Sequence, residues 1–336
     1  MPAMFRAKLF VAISLAFALN LTLAAPSGTV YTANERAGSI SQVRLASGEV
    51  KTTALTIAPH NLQVSDDGRW LLAVGMPAHG EHQGGAMNAG QLQVFRTDSL
   101  DKPAFSLPAG EHPAHVVIDR SGQWAFVTDS AADRVRVFDL QARSQTDSIP
   151  TGSFPHGLRL SPDGKALYVA NMRSGSVSVI DTATLKETAR IAVGKSPVQV
   201  GFAPDGRQAY VSLSAENKLG IIDTATRQLT GKVAVGRTPI QMYATADGQV
   251  YVANQGSRSD PDDRVSVVDP LRRTVLATLT TGKGAHGVAI SSDSAYVFVS
   301  NIEAGTLTVI DTASRAVIAT HKVAAGPNGV SYQEHD

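Results

Sequence analysis

The sequence contains no cysteine, few aromatic residues and almost no net charge. It has 336 residues, of which 6% are aromatic, and its 30 basic and 29 acidic side chains leave a formal charge of +1. The missing cysteines exclude disulfides, thiolate metal ligands and covalent attachment of a c-type heme. The balanced charge provides no long-range field for nucleic acid, and the few aromatics leave few platforms for stacking bases. We therefore do not expect a nucleic-acid partner.

Long apolar runs are also missing, except at the N-terminus. Arg6 and Lys8 precede an almost wholly apolar stretch over residues 9–23, and small residues surround Ala24. This order is typical of a Sec-type secretory signal peptide, predicted here as residues 1–24. The run is short for a membrane span, which needs about 20 residues, although an uncleaved anchor is the alternative. We expect a periplasmic or secreted protein with no membrane span in its mature part.

A unit of about 42 residues recurs along the rest of the chain. Each copy contains short runs rich in β-branched and aromatic residues and ends at an equivalent position. The closing aspartates mark the period: Asp139, Asp181, Asp223, Asp269 and Asp311. A period near 40 residues made of strands indicates small sheets arranged around an axis. The sequence predicts an all-β protein, a seven-bladed β-propeller of four-stranded antiparallel blades, as a single domain over residues 25–336.

The two ends of the repeat region complete each other. Residues 327–332 match the first strand of a unit, and the chain then stops. Residues 30–34 and 39–44 match the second and third strands of a unit that lacks its first. We therefore predict that the ring is closed by pairing of the C-terminal strand with the N-terminal strands.

Two recurrent turns are predicted to be structural. Asp163-Gly164 is typical of the turns between the first two strands of each unit, where glycine adopts a positive φ. Asp293-Ser294 replaces that pair in the last full copy, which predicts a different turn type there. The closing aspartates are predicted to cap the turn between the third and fourth strands rather than to act in catalysis.

These motifs resemble a known family. Tyr168-Val169-Ala170-Asn171, Tyr251-Val252-Ala253-Asn254 and the Ser-Pro-Asp-Gly turns are similar to the YVTN-type β-propeller repeats of exported bacterial proteins, the YncE-like group. The resemblance spans residues 30–332 and implies the propeller fold. It leaves the activity open, because related propellers serve as binding platforms, as lactonases and as heme d1 or copper domains of respiratory reductases.

Unusual polar residues gather where each first strand begins. Strand direction places these segments on one face, around the mouth of the central channel. The candidate ligand-binding residues are His60, His115, His156, Gln199, Gln241, His286 and Asn328. The structural alternative is that each imidazole bonds the backbone of a neighbouring blade. Spacing is decisive for a metal, and histidines on alternate blades can stand far apart across the mouth.

An enlarged loop of the second unit projects from the same face. It carries Met76, His79, His82 and Met87, and His60 begins the adjoining first strand. Imidazole and thioether groups suit copper or another transition metal, so the loop with His60 is a candidate metal site; a solvated loop is the alternative. A second enlarged loop, residues 260–263, is acidic but lacks the ligand spacing of a calcium loop, so we expect it to be solvated.

No motif for catalysis is present, such as a Gly-x-Ser-x-Gly elbow or a phosphate-binding loop. The sequence therefore favours an exported, non-catalytic binding or scaffold protein with a ligand site at the channel mouth. One alternative is a periplasmic protein that handles copper or heme through these histidines. Another is a lactonase-like hydrolase, in which a metal or a polar ring activates water. The partner is expected to be a periplasmic protein or a small molecule, and the chain a monomer.

Overall fold

The computed structural model describes residues 26–78 and 89–334, which form 28 strands and no helix. The strands are short, as expected for runs rich in valine, isoleucine and aromatic residues. In chain order they are β1 (Thr29–Asn34), β2 (Ser39–Arg44), β3 (Val50–Ala54), β4 (Ile57–Val64), β5 (Trp70–Pro77), β6 (Gly90–Arg96), β7 (Phe105–Gly110), β8 (Pro113–Ile118), β9 (Trp124–Asp129), β10 (Arg134–Asp139), β11 (Ser144–Pro150), β12 (Pro155–Leu160), β13 (Ala166–Asn171), β14 (Ser176–Asp181), β15 (Lys186–Ala192), β16 (Pro197–Phe202), β17 (Gln208–Leu213), β18 (Lys218–Asp223), β19 (Gln228–Ala234), β20 (Pro239–Ala244), β21 (Val250–Gly256), β22 (Pro261–Asp269), β23 (Thr274–Thr280), β24 (Ala285–Ile290), β25 (Tyr296–Asn301), β26 (Thr306–Asp311), β27 (Ala316–Lys322) and β28 (Pro327–Gln333).

The strands form seven four-stranded antiparallel sheets, so the predicted seven-bladed β-propeller is confirmed. Blades 2 to 7 each use four consecutive strands, beginning with β4, β8, β12, β16, β20 and β24. Contacts between these first strands run from one blade to the next, which makes them the innermost strands around the axis. Antiparallel connections then divide the loops between two faces. We call the face with the Asp-Gly turns the turn face and the other, where the innermost strands begin, the histidine face.

Blade 1 is a composite of both chain ends, as predicted. Its strand order is β28-β1-β2-β3, and β28 supplies the innermost strand. Thr29 pairs with Gln333, and Val30 pairs with Tyr332. The ring is therefore closed by backbone hydrogen bonds between residues about 300 positions apart in sequence.

Seven apolar clusters fill the spaces between adjacent blades. One typical cluster joins Tyr168 and Val179 of blade 4 to Val200 and Val211 of blade 5. The cluster between blades 7 and 1 is of the same kind, and there the rings of Phe298 and Tyr332 stack with centroids 5.2 Å apart. Because each blade covers the apolar face of its neighbour, adjacent blades stabilise one another around the ring.

The turn at Ser294 does not differ from the other turns, contrary to the sequence prediction. Ser294 adopts φ 59°, close to the left-handed region that Gly164 occupies with φ 72°. Both residues donate a backbone hydrogen bond of 2.8 Å to the serine three positions earlier. Ser294 Oγ also accepts a bond from Ala246 N (3.1 Å), which offsets part of the strain of a positive φ in a residue with a Cβ.

The recurring aspartates are confirmed as turn caps. Asp181 Oδ1 accepts hydrogen bonds from the backbone N (2.7 Å) and the hydroxyl (2.8 Å) of Thr184, and Asp223 binds Thr226 in the same way. The prediction of a solvated acidic loop at residues 260–263 is wrong for Asp262, which is only 2% exposed. Arg264 binds both of its carboxylate oxygens at 2.7 Å, so they are not free to bind calcium.

We predict that deletion of residues 327–336 destabilises the whole propeller. The deletion removes β28, exposes the apolar faces of blades 1 and 7, and takes away the hydrogen-bonded closure. The midpoint of thermal unfolding should fall by roughly 10 °C or more, measured by circular dichroism. Deletion of residues 334–336, which lie beyond β28, is the control. Equal midpoints for the two truncated proteins would show that the closure does not contribute.

Candidate functional site: the channel mouth

A backbone bulge begins most of the innermost strands and turns side chains toward the axis. In β12 the pairing with β13 shifts between Pro155 and Leu158, so His156 and its neighbour are out of register. The same shift follows the proline of β4, β8, β16 and β20, and follows Ala285 of β24. Bulges often re-aim side chains next to functional sites. The repeated proline-plus-bulge therefore places the predicted residues in a ring at one level of the channel.

Three imidazoles meet in this ring. The ring centroids of His60, His115 and His156 lie 4.8 to 5.6 Å apart, and one nitrogen of each lies within 4.8 Å of the others. The shortest contact joins His60 Nε2 to His156 Nε2 at 3.3 Å. We call these residues the histidine cluster. Histidines of separate blades thus lie side by side, and the expected separation across the mouth is wrong for His60 and His156.

Glu35 completes the cluster and was not predicted. It follows β1, and its Oε1 accepts a hydrogen bond from His60 Nδ1 (3.0 Å). Asn328 Nδ2 donates to Glu35 Oε2 (2.8 Å). Burial alone would raise the pKa of Glu35, but the hydrogen bonds and charge interactions with His60 and Asn328 lower it to about 2. The sequence does mark Glu35 as unusual, because the residue that follows the second strand is not acidic in any of the other six units.

His156 is held by the backbone of the next blade. In three blades a hydroxyl of the second strand donates to the bulge carbonyl of the neighbouring blade, as Thr128 does to His156 O (2.6 Å). Ala170 stands at that position in blade 4, and His156 Nδ1 donates instead to the vacant carbonyl of Val198 (3.2 Å). This bond places the proton on Nδ1 and leaves the Nε2 lone pair facing His60.

The other predicted residues surround the cluster. Gln199 Oε1 accepts from Val200 N (2.8 Å), which orients its amide to donate to His115 Nδ1 (3.3 Å). His115 Nε2 is buried and has no hydrogen-bond partner among the described residues. His286 is 6% exposed, and its Nδ1 likewise has no partner in the part of the chain described. Gln241, also in the ring, lines the same cavity as His115 and Gln199.

Burial keeps His115, His156 and His286 neutral. Desolvation and the neighbouring imidazole of His60 lower the pKa of His156 to about 3 and that of His286 to about 4. Burial and the nearby histidines lower the pKa of His115 well below its usual range. Neutral imidazoles are the protonation state that binds metal ions.

The enlarged loop is only partly described. Met76 lies near the end of β5 and is half-buried. It pairs with Ala58, and Ala58 is two residues before His60 in the sequence. His79, His82 and Met87 lie outside the described residues. The predicted contribution of this loop to a metal site therefore stays a prediction.

The channel opens on the turn face. A cavity of about 1400 Å³ extends from His115, Gln199 and Gln241 to the turns at Asp67 and Asp163. The ring of polar residues at the histidine face thus forms its inner end. His115 belongs to both the cavity wall and the histidine cluster.

The chain matches one family along more than half of its length. The family described as Cytochrome D1 heme domain matches residues 45–248. The chain belongs to this family. No curated protein is significantly similar to it. Among the described residues, no helix is long and apolar enough to cross a membrane.

Solved structures share the fold at low identity. A functionally unknown protein from Desulfotomaculum acetoxidans is 18% identical with a TM-score of 0.75, covering 92% of this chain and 100% of that one. The periplasmic gluconolactonase of Pseudomonas aeruginosa is 19% identical with a TM-score of 0.71, covering 91% and 98%. Hydrazine synthase of Kuenenia stuttgartiensis is 18% identical with a TM-score of 0.68, covering 81% and 89%. Such likenesses establish the propeller and not an activity.

The histidine cluster does not fit a heme iron as a common ligand set. A tetrapyrrole fills four positions of its iron and leaves two, on opposite sides of the ring, whose nitrogens stand about 4 Å apart. His60 Nε2 and His156 Nε2 are 3.3 Å apart, and their rings leave no slot for a macrocycle between them. The donor set instead suits a single ion that carries no macrocycle.

We predict that stability falls as the pH is lowered from 7 to 5. In this range the unfolded chain protonates its histidines near pH 6.5, whereas folded His156 and His286 stay neutral down to about pH 3 and pH 4. The unfolded state then binds more protons, so each residue can remove up to about 1.4 kcal/mol of stability per pH unit. Glu35 contributes only below about pH 4.5, because its folded pKa is lowered to about 2. Urea unfolding at pH 7 and pH 5 measures the loss.

Matched histidine variants identify the source of this loss. His156→Gln and His286→Gln should each reduce the difference in unfolding free energy between pH 7 and pH 5. His112→Gln, at an exposed histidine, should leave it unchanged. The interpretation is wrong if the three variants show the same pH dependence as the unchanged protein.

Proposed function

We propose that this chain is an exported propeller protein that binds one transition-metal ion, copper or zinc, through His60, His115 and His156. The observation that carries the proposal is the convergence of three imidazole nitrogens within 4.8 Å. Imidazole is a good ligand for both metals, and the absence of cysteine leaves histidine as the available strong donor.

The distance between two nitrogens supports a tetrahedral ion. Two imidazole nitrogens bound at about 2.0–2.1 Å to one ion with tetrahedral angles stand about 3.3–3.4 Å apart. His60 Nε2 and His156 Nε2 are 3.3 Å apart. In both residues Nδ1 faces an acceptor, Glu35 or the carbonyl of Val198, so Nε2 is the ring nitrogen of each that is placed to bind an ion.

Glu35 acts in this proposal as a positioning residue. A metal-bound histidine commonly donates its other N–H to a carboxylate or carbonyl, which fixes the ring and increases its basicity. His60 and His156 have one such partner each. The Glu35 carboxylate also supplies a negative charge close to the ion. Gln199 would have to turn its amide for His115 to bind through Nε2, since its Nε2 now donates to His115 Nδ1.

The wider setting of the proposal follows from the sequence. Residues 1–24 would direct export, and residues 25–336 would form the mature, monomeric propeller of YVTN-type repeats. Support for a periplasmic location comes from the gluconolactonase of similar fold, which is named as periplasmic.

Three neutral imidazoles leave a fourth position on the ion for water or a ligand, so the site resembles open metal centres more than closed structural ones.

A lactonase-like hydrolase is the second candidate function. The observation that favours it is that His115 faces the cavity of about 1400 Å³, so a water on the ion would be accessible to a small substrate. Hydrolysis of gluconolactone by metal-loaded protein, compared with the His156→Gln variant, tests this activity. Equal rates for both proteins would leave only the binding function.

We predict that the protein binds one equivalent of Zn(II), which prefers tetrahedral coordination, and that the cluster determines the affinity. His60→Gln and His156→Gln should weaken binding by more than about 100-fold, and Glu35→Gln by about 10–100-fold, since supporting partners usually contribute that much. Isothermal titration calorimetry at pH 7 on metal-free protein provides the measurement. Thermal midpoints of the metal-free variants verify that they are folded.

Two controls separate the cluster from other histidines. His286→Gln changes a buried histidine of the same mouth outside the cluster, and it should retain the affinity. The double variant His79→Gln and His82→Gln tests the enlarged loop. If the loop variant loses the metal while His156→Gln keeps it, the site is in the loop and the proposed cluster is wrong.

A further inference from the structure

We propose that the channel binds a small hydroxylated monocarboxylate between Arg159 and Gln241. This site lies between the histidine cluster at the inner end of the cavity and the opening on the turn face, and it does not depend on a bound metal. It rests on the arrangement of side chains on the innermost strands below the bulge.

The channel wall consists of layers formed by alternate residues. The layer below the polar ring contains Gln63, Val117, Arg159, Gly201, Tyr243, Ala289 and Ser331. Three of these residues are small, so this layer leaves room around the axis. The side chains of Arg159 on β12 and Tyr243 on β20 contact each other across β16, the innermost strand between them, which has Gly201 at this level. Their side chains therefore form one side of a cavity large enough for a small organic molecule.

Arg159 has no counterion among the described residues. Its guanidinium lies 5.0 Å from the ring centroid of Tyr243, and no hydrogen bond or ion pair to it is found in the described part of the chain. It is half-buried and lines the cavity. Of the described lining residues, Arg120 is the other arginine, and it is exposed at the rim. A guanidinium held on an aromatic face inside a cavity offers a planar fork that matches a carboxylate.

Gln241 supplies an independent sign of a missing ligand. It is 3% exposed, and its Nε2 is buried without a hydrogen-bond partner in the described residues. Its Oε1 accepts from Val288 N (3.4 Å), which fixes Nε2 as the free donor. Gln241 lines the cavity two residues before Tyr243 on β20. Buried donors without partners cost free energy, and a carboxylate in the cavity that Gln241 and Arg159 both line would provide acceptors for them.

The charges of the channel select the class of anion. Asp66, Asp119 and Asp163 stand near the opening, so anions with several charges are repelled there. Arg159 is the one Lys or Arg side chain among the described residues that line the interior away from the rim, and it balances one negative charge. The remaining wall is polar and neutral, with Gln63 and Ser331 available for hydroxyl groups. These features favour a monocarboxylate that carries hydroxyls over a phosphate or a tricarboxylate.

Calorimetric titration of metal-free protein tests the site. The probes are gluconate and glycerate as hydroxylated monocarboxylates, with glucose, citrate and inorganic phosphate for comparison. We expect gluconate or glycerate to bind at millimolar concentration or below, and more tightly than the other three. Arg159→Gln should weaken this binding by about 10–100-fold, because a charge-assisted hydrogen bond is lost. Arg159→Lys should lose less, since the charge is kept.

Gln241→Glu and Arg120→Gln are the matched variants. Gln241→Glu keeps the acceptor for Val288 N but replaces the free donor with a negative charge, so it should weaken binding at least as much as Arg159→Gln. Arg120→Gln removes an arginine at the rim and should leave the affinity unchanged, and thermal midpoints verify folding. The proposal is overturned if no monocarboxylate binds, if phosphate or citrate binds more tightly, or if Arg120→Gln and Arg159→Gln lose affinity equally. Loss of binding in His156→Gln but not in Arg159→Gln would place the anion at the histidine cluster and would also contradict it.

Discussion

Closure of the ring is the constraint on which the rest of the structure depends. Each blade has two apolar faces, and only a closed circle gives every face a partner. Pairing of β28 with β1 provides that closure and brings Asn328 of the last strand next to Glu35 and His60 of the first two blades. The same pairing that stabilises the fold therefore assembles the polar end of the channel.

The bulge at the start of the innermost strands turns polar side chains of each blade toward the axis, where together they form the candidate site. It places one or two side chains per blade at the axis, where blades approach so closely that Gly157 has no room for a Cβ beside Gln199. Crowding removes water, and the loss of water holds His156 and His286 neutral. Glu35 keeps its charge in the same surroundings because His60 and Asn328 bind both of its oxygens. Uncharged imidazoles beside a fixed carboxylate are an arrangement that suits a cation.

The sequence predicts the fold well, because the period, the turns and the matching ends each record a local preference. It also identifies the polar ring, since departures from the repeat are visible in a single chain. Distances across the axis are not encoded locally: nothing in the sequence indicates that His60 and His156 touch although they are 96 positions apart. Glu35 was not predicted because its loop has ordinary length. The turn type at Ser294 was predicted wrongly, because serine adopts a left-handed conformation there only with the help of the surrounding contacts. The free donors of Arg159 and Gln241 likewise emerge only when the blades are assembled.

X-ray absorption spectroscopy of the zinc-loaded protein identifies the atoms bound to the ion. We expect a first coordination shell of nitrogen and oxygen at about 2.0–2.1 Å, with the outer-shell scattering of three imidazoles and no sulfur. A shell containing sulfur, as from Met76 or Met87, or the scattering of a single imidazole, would contradict it.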